Sequence, residues 1–183
     1  MGRPAKSKGN LSKVQIFEQA LILLDEGGEG AVTFRGLAAG LGVTAMAIKH
    51  HVGTRRELFQ QLVEQTYHGV GHAPDALEGS GALIYVLEDY CSRVIAHPAL
   101  MQSILADTSL MPSRLHALTD HIRNYVQSTL SEKEEVETVV NLIADYTHGF
   151  AMSVAAHCGD AGEVPGLRVA DYRRGLEWIL QKL

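Results

Sequence analysis

The sequence predicts an all-α chain divided into two helical parts, and three observations carry that reading. No stretch alternates apolar and polar residues for a strand's length, whereas Ala, Leu, Glu and Gln are abundant throughout. Hydroxyl residues stand three places before Gln or Glu at Ser12/Gln15, Thr54/Glu57 and Ser131/Glu134, the spacing of a helix capping box. Apolar residues then recur every three or four positions behind those caps. With 183 residues, 46% apolar and 20% charged, the chain has enough apolar material for a packed core, which excludes wholesale disorder.

The elements follow in order. Residues 1–11 are rich in Gly, Pro, Ser, Lys and Arg and read as a basic, flexible arm. Ser12 opens a first helix with Val14, Phe17, Leu21 and Leu24 inward, and Gly27-Gly28 ends it. Thr33 caps a short second helix ending near Leu41, where Gly42 breaks the chain. Thr44 caps a third, Ala45–His51, stopped by Val52-Gly53. Thr54 opens a fourth through Leu58 and Leu62 to about Tyr67.

Gly69, Gly71, Pro74, Gly79 and Gly81 mark a linker. The predicted domains are therefore 12–68 and 74–183. In the second, Ala82–Ala96 points Leu83, Val86, Leu87, Tyr90 and Val94 inward. Pro98 starts a short helix through Met101, Ile104 and Leu105. Pro112 opens another with Leu115, Leu118, Ile122, Tyr125 and Val126. A helix capped by Ser131 runs to about His157, and Gly159–Gly166 is a loop. A final helix carries Tyr172, Leu176, Ile179, Leu180 and Leu183.

Charge separates the two parts. The formal net charge is −5, but residues 1–56 hold eight Lys/Arg against four Asp/Glu, a balance of +4. Residues 57–183 hold eight against 17, a balance of −9. One end suits a polyanion and the other does not. Two short helices joined by a tight glycine turn and braced by a longer helix form a helix-turn-helix, whose second helix enters the DNA major groove. Lys49, His50 and His51 would read base edges, with small Ala45 and Ala47 permitting close approach. Arg35, Thr44, Thr54 and Arg55 would hold phosphates. Arg3, Lys6 and Lys8 could add contacts from the arm.

Residues 12–66 resemble the DNA-binding domain of the TetR family of bacterial transcriptional regulators. The run Val32 to Leu62 carries that family's Thr before the second helix (Thr33), Leu-Ala within it (Leu37-Ala38) and Gly-Val in the turn (Gly42-Val43). Thr54, Arg55 and Leu58 match the cap, basic residue and Leu after the recognition helix. The chain departs from the pattern at Lys49, usually an aromatic residue, at Val52, often Phe, and at Arg56, usually acidic.

The resemblance implies a helical effector-binding and dimerisation domain in the second half. The implied protein is a homodimeric repressor released from a palindromic double-stranded operator by an unidentified small-molecule effector. Candidate pocket residues are Tyr90, Met101, Leu105, Met111, His121, Tyr125, Tyr146 and Phe150. Candidate dimer contacts are the small residues Gly149, Ser153 and Ala156 with the stripe Tyr172, Leu176, Ile179 and Leu183. The alternative is a helical protein-interaction module that has lost specific DNA binding.

Other chemistries find little support. Gly40 to Ala45 matches a loose dinucleotide fingerprint but follows a helix, not a strand, so no cofactor is expected. His68 and His72 are a possible metal pair, but Gly69 and Gly71 interrupt the helix that would align them, and no metal is expected. Cys91 and Cys158 are too few for a disulfide scaffold or a four-cysteine site. Asp145 with His148 and Asp120 with His121 read as surface or interface pairs, not catalytic ones. The basic start leads into no signal-peptide core. Tyr146–Gly159, the longest uncharged run of the second half, has 14 residues and two His, short of the ~20 a membrane span needs. The expectation is a cytoplasmic protein that is not an enzyme.

Overall fold

The computed structural model describes residues 11–130, 133–157 and 166–183. The basic arm up to residue 10, the Ser131 cap and most of the loop after His157 lie outside the described residues. Among the described residues there are nine α-helices and no strand. None of these helices is long and apolar enough to cross a membrane. No group of three or more His, Cys, Asp and Glu side chains converges among them to hold a metal ion.

The helices are α1 (Lys13–Gly27), α2 (Phe34–Leu41), α3 (Ala45–Val52), α4 (Arg55–Thr66), α5 (Gly79–Ala96), α6 (Pro98–Ala106), α7 (Ser113–Thr129), α8 (Val136–His157) and α9 (Gly166–Leu180). They fall into two compact units that meet at Leu62/Val63, inside α4. The glycine-rich stretch 69–81 is not that border. Tyr67 and Val70 are buried, and Arg93 Nη1 donates to the Thr66 carbonyl at 2.6 Å, so the chain after Leu62 already belongs to the second unit. Helix α5 also begins at Gly79, three residues before the position the sequence suggests.

In the first unit the caps define the helices. Ser12 accepts from the Gln15 backbone N–H at 3.2 Å, and the Gln15 side chain accepts from the Ser12 N–H at 3.0 Å. Thr33 and Thr44 cap α2 and α3 at 3.0 and 3.2 Å. Gly42 between them has φ +66°, a left-handed turn that glycine adopts without Cβ strain. Ile16, Phe17, Ala20 and Leu24 of α1 are buried with Leu37, Ile48, Val52, Leu58 and Leu62. Val14, expected inward, is instead 56% exposed. Ile16 and Ala20 take the inward positions with Phe17 and Leu24.

The second unit is arranged around α5, which packs on α6, α7, α8 and α9. Its polar interior is small: Thr66 Oγ1 is buried without a hydrogen-bond partner, whereas a set of hydroxyls around Tyr172 is paired. Tyr172 on α9 meets the Thr147 hydroxyl at 2.9 Å and donates to the Leu87 carbonyl at 3.4 Å. Thr147 in turn donates to the Ile143 carbonyl at 2.7 Å. Cys91 is buried beside them, and that burial pushes its thiol pKa up to about 12.

Candidate nucleic-acid interface and ligand cavity

Helix α3 has two chemically distinct sides. Ile48 and Val52 are buried and fix it to the core. Met46, Lys49 and His50 are exposed at the i, i+3, i+4 spacing that places side chains on one helical face. Ala45, Ala47 and His51 are half-buried at the margins of that face, and the His50 and His51 rings meet edge-on at 5.9 Å. Met46, 74% exposed, is the residue that reading by charge and small size missed. The signal for it was present: it precedes Lys49 by three, with Ile48 and Val52 on the opposite side.

Arg35 is exposed on the first turn of α2, and Thr44 is exposed at the N-terminus of α3. Thr54 and Glu57 cap α4 reciprocally. The Thr54 N–H donates to the Glu57 carboxylate at 2.7 Å, and Thr54 Oγ1 accepts from the Glu57 N–H at 3.2 Å. Those bonds hold the Glu57 carboxyl below its ordinary pKa. Arg55 has a different placement from the phosphate contact expected of it. Its guanidinium donates to the Val32 carbonyl (3.2 Å), the Glu29 side chain (2.9 Å) and the Glu29 carbonyl (2.7 Å), and lies 4.8 Å over the Phe59 ring. Arg55 therefore ties the start of α4 to the chain entering α2. Gln61 adds a second tie, donating to the Val52 carbonyl at 3.2 Å.

The second unit holds a cavity of about 200 Å³ between α5, α6, α7 and α8. Four of the candidate pocket residues, Tyr90, Met101, Leu105 and Met111, line it, with Leu105 at its exposed rim. The other four candidates lie elsewhere. His121 and Tyr125 face a separate open recess beside Ala82 and Asp120. Tyr146 stacks on Tyr172 at 5.5 Å with planes 6° apart, and Phe150 packs against the same ring at 5.2 Å. The sequence reading missed Thr119, Asn141, Thr147 and His148 as lining residues. His148 Nε2 lies 2.8 Å from the Tyr90 hydroxyl, which is also 3.3 Å from Met101 sulfur. Burial pushes the His148 pKa below the ordinary imidazole value, with Asp145 opposing, and raises that of Tyr90. Both are uncharged near neutral pH.

The stripe assigned to a dimer contact is mostly spent within the chain. Tyr172, Leu176 and Ile179 are buried in the second unit because α9 packs them onto α5 and α8. Leu183 is half-buried. Gly149, Ser153 and Ala156 are exposed on α8. Among the described residues of these two helices, the large apolar side chains left exposed are Leu142 on α8 and Trp178 on α9, at 52% and 63% exposure.

A glycine-turned helix pair braced by a third helix, followed by a five-helix bundle, defines a two-unit all-helical helix-turn-helix fold. Solved structures share it. BioQ of Mycobacterium smegmatis superposes with a TM-score of 0.69, at 16% identity over 94% of this chain and 97% of that one. SCO7222, a TetR transcriptional regulator from Streptomyces coelicolor, gives 0.68, at 20% identity over 94% and 97%. BioQ with its double-stranded DNA operator gives 0.67, at 16% identity over 94% and 98%. The chain has the TetR-family fold. No family model matches the sequence, and no curated protein matches it.

Proposed function

We propose that this protein is a sequence-specific DNA-binding transcriptional regulator, a homodimer that represses until a small molecule releases it from a palindromic operator. One observation carries the reading: Met46, Lys49 and His50 project together from α3 while the helix's other side is locked into a core. A helix so held presents a cation, an imidazole and a thioether to a groove without movement of its backbone. Lys49 suits guanine or phosphate oxygens, and Met46 suits a thymine methyl. The operator complex of BioQ supplies a precedent for this fold on duplex DNA. The reading is of a binding protein working in the cytoplasm without a cofactor, not of an enzyme.

A single eight-residue recognition helix makes few contacts, and two-fold symmetry doubles them. Leu142, Gly149, Ser153 and Ala156 on α8, with Trp178 on α9, are the outward groups for pairing two copies. The effector would enter the α5–α8 cavity. Met101 in its wall touches the Tyr67 hydroxyl at 3.9 Å, directly after α4, and α4 continues into the first unit. Ligand and operator then favour different placements of α4, which couples them reciprocally.

Selection of bound duplexes from a random DNA pool at two salt concentrations tests the reading. The expected product is a palindrome with half-sites about one helical turn apart, lost steeply as salt rises. No recovery at low salt would refute it.

A further inference from the structure

We propose that the α5–α8 cavity is a site for one small, uncharged, single-ring aromatic molecule whose hydroxyl, or a comparable hydrogen-bonding group, seats against Tyr90 and His148. The inference deepens the effector part of the proposed function and depends on it only for any consequence on DNA.

Size sets the first limit. The cavity measures about 200 Å³. An engineered apolar cavity of ~150 Å³ takes benzene, and drug-sized ligands occupy pockets of ~300 Å³ or more. One ring with a short substituent fits between those bounds. The lining sets the second limit. Apolar side chains, Leu87, Met111, Leu115, Leu118, Ile122 and Val140 among them, make most of the wall, and among the described residues no Asp, Glu, Lys or Arg faces it. A charged ligand would be stripped of water with no opposite charge to meet it. His148 does not supply one, because burial keeps its ring neutral.

Of the remaining polar groups, the Asn141 amide is solvent-exposed, and the less exposed ones place the ligand's own polar atom. Thr147 is committed to the Ile143 carbonyl and the Tyr172 hydroxyl. Thr119 donates to the Leu115 carbonyl at 3.0 Å. The Tyr90 hydroxyl has one proton and two acceptors within reach, His148 Nε2 at 2.8 Å and Met101 sulfur at 3.3 Å. A ligand hydroxyl can therefore enter this pair as donor or acceptor by a shift of tautomer, at no cost in buried unpaired groups. Met101 and Met111 add thioethers that adapt to a ring's edge.

The test is calorimetric titration and thermal unfolding of the full chain with p-cresol, toluene, benzoate, benzylamine and 2-naphthol at pH 7.5. p-Cresol is expected to bind one per chain and to raise the unfolding midpoint. Toluene, lacking the hydroxyl, binds about tenfold more weakly, the ratio one net hydrogen bond supplies. Benzoate and benzylamine bind at least about a hundredfold more weakly, since each carries an unpaired charge inward. 2-Naphthol, with a second ring, binds more weakly than p-cresol. His148→Leu brings p-cresol down to toluene's affinity. Ala144→Phe fills the cavity and abolishes p-cresol binding. Leu105→Trp does so from the exposed rim, where folding is not at stake. Absent saturable p-cresol binding, equal binding of benzoate or benzylamine, or undiminished binding in Leu105→Trp would overturn the proposal. Saturable p-cresol binding that leaves DNA affinity unchanged would uphold the site and fail the regulatory reading.

Discussion

The α3 face and the α5–α8 cavity use polar residues in opposite ways. Around α3 the hydroxyls of Thr33, Thr44 and Thr54 are exposed and bond a backbone N–H three residues away. Around the cavity Thr119 and Thr147 also bond carbonyls four residues back, but the bonds that hold its walls together are at least partly buried and span the chain: Tyr90 to His148 crosses 58 residues, and Tyr172 to Thr147 crosses 25. The first region is fixed by short-range chemistry and leaves its outward side chains free to vary. In the second, every polar atom is a constraint on packing, so changes of function and of stability are harder to separate.

The sharpest break in that comparison is within α3 itself. Ile48 is fully buried and Met46, two residues earlier, is largely exposed. Ile48→Ala is expected to destabilise the first unit by roughly 2–5 kcal/mol, the usual cost of such a truncation in a core. Met46→Ala should stay within about 0.5 kcal/mol. Urea denaturation of both variants checks this, and equal losses would mean that α3 is not held as described.

Function should divide the other way. Lys49→Ala is expected to weaken specific DNA binding by roughly 1–3 kcal/mol and to relax preference at one or two base positions, with stability unchanged. Binding titrations against the selected operator and single-base variants measure both. An unaltered sequence preference would remove Lys49 from the reading face.

Arg55 tests the border between the two uses. Its donors are engaged by Glu29 and Val32, although the side chain is 46% exposed. Solvent screening keeps the ion pair itself worth little, so most of the effect lies in the bonds to carbonyls. Arg55→Gln should lower the stability of the first unit by about 1 kcal/mol and leave the salt slope of DNA binding unchanged. A slope reduced by about one would return Arg55 to the phosphate-binding set.

These contrasts also explain what could be read in advance. The caps at Ser12, Thr33, Thr44 and Thr54 were legible because both partners sit within three residues. So were the helices they start and the helix-turn-helix they compose. Arg55's partner Glu29 lies 26 residues back, and nothing local distinguishes a guanidinium bound to protein from one awaiting phosphate. The stripe Tyr172, Leu176, Ile179 was visible as apolar, but periodicity does not say whether an apolar face meets its own chain or a second copy. His148 was set aside as one of a pair with Asp145, whereas its contact that matters is with Tyr90, on another helix. The Val14 and Ile16 exchange arose because both positions are apolar and the two-residue offset between them, about 200° around a helix, decides which one faces inward.

The smallest expected effect isolates the cavity's polar pair by pH. Burial holds the His148 pKa in the folded chain below its ordinary value of about 6.5, against the pull of Asp145. As pH falls through that value the unfolded imidazole takes a proton that the folded one resists. The unfolded state then binds more protons, and stability falls with falling pH. His148→Gln removes this contribution while leaving a hydrogen-bonding group near Tyr90. The stability difference between wild type and variant should therefore be greatest near pH 8 and shrink toward pH 5.5, read from denaturation midpoints at each pH. A difference that stays flat would mean that His148 titrates freely. The neutrality of the cavity wall, on which the choice of an uncharged ligand depends, would then lose its support.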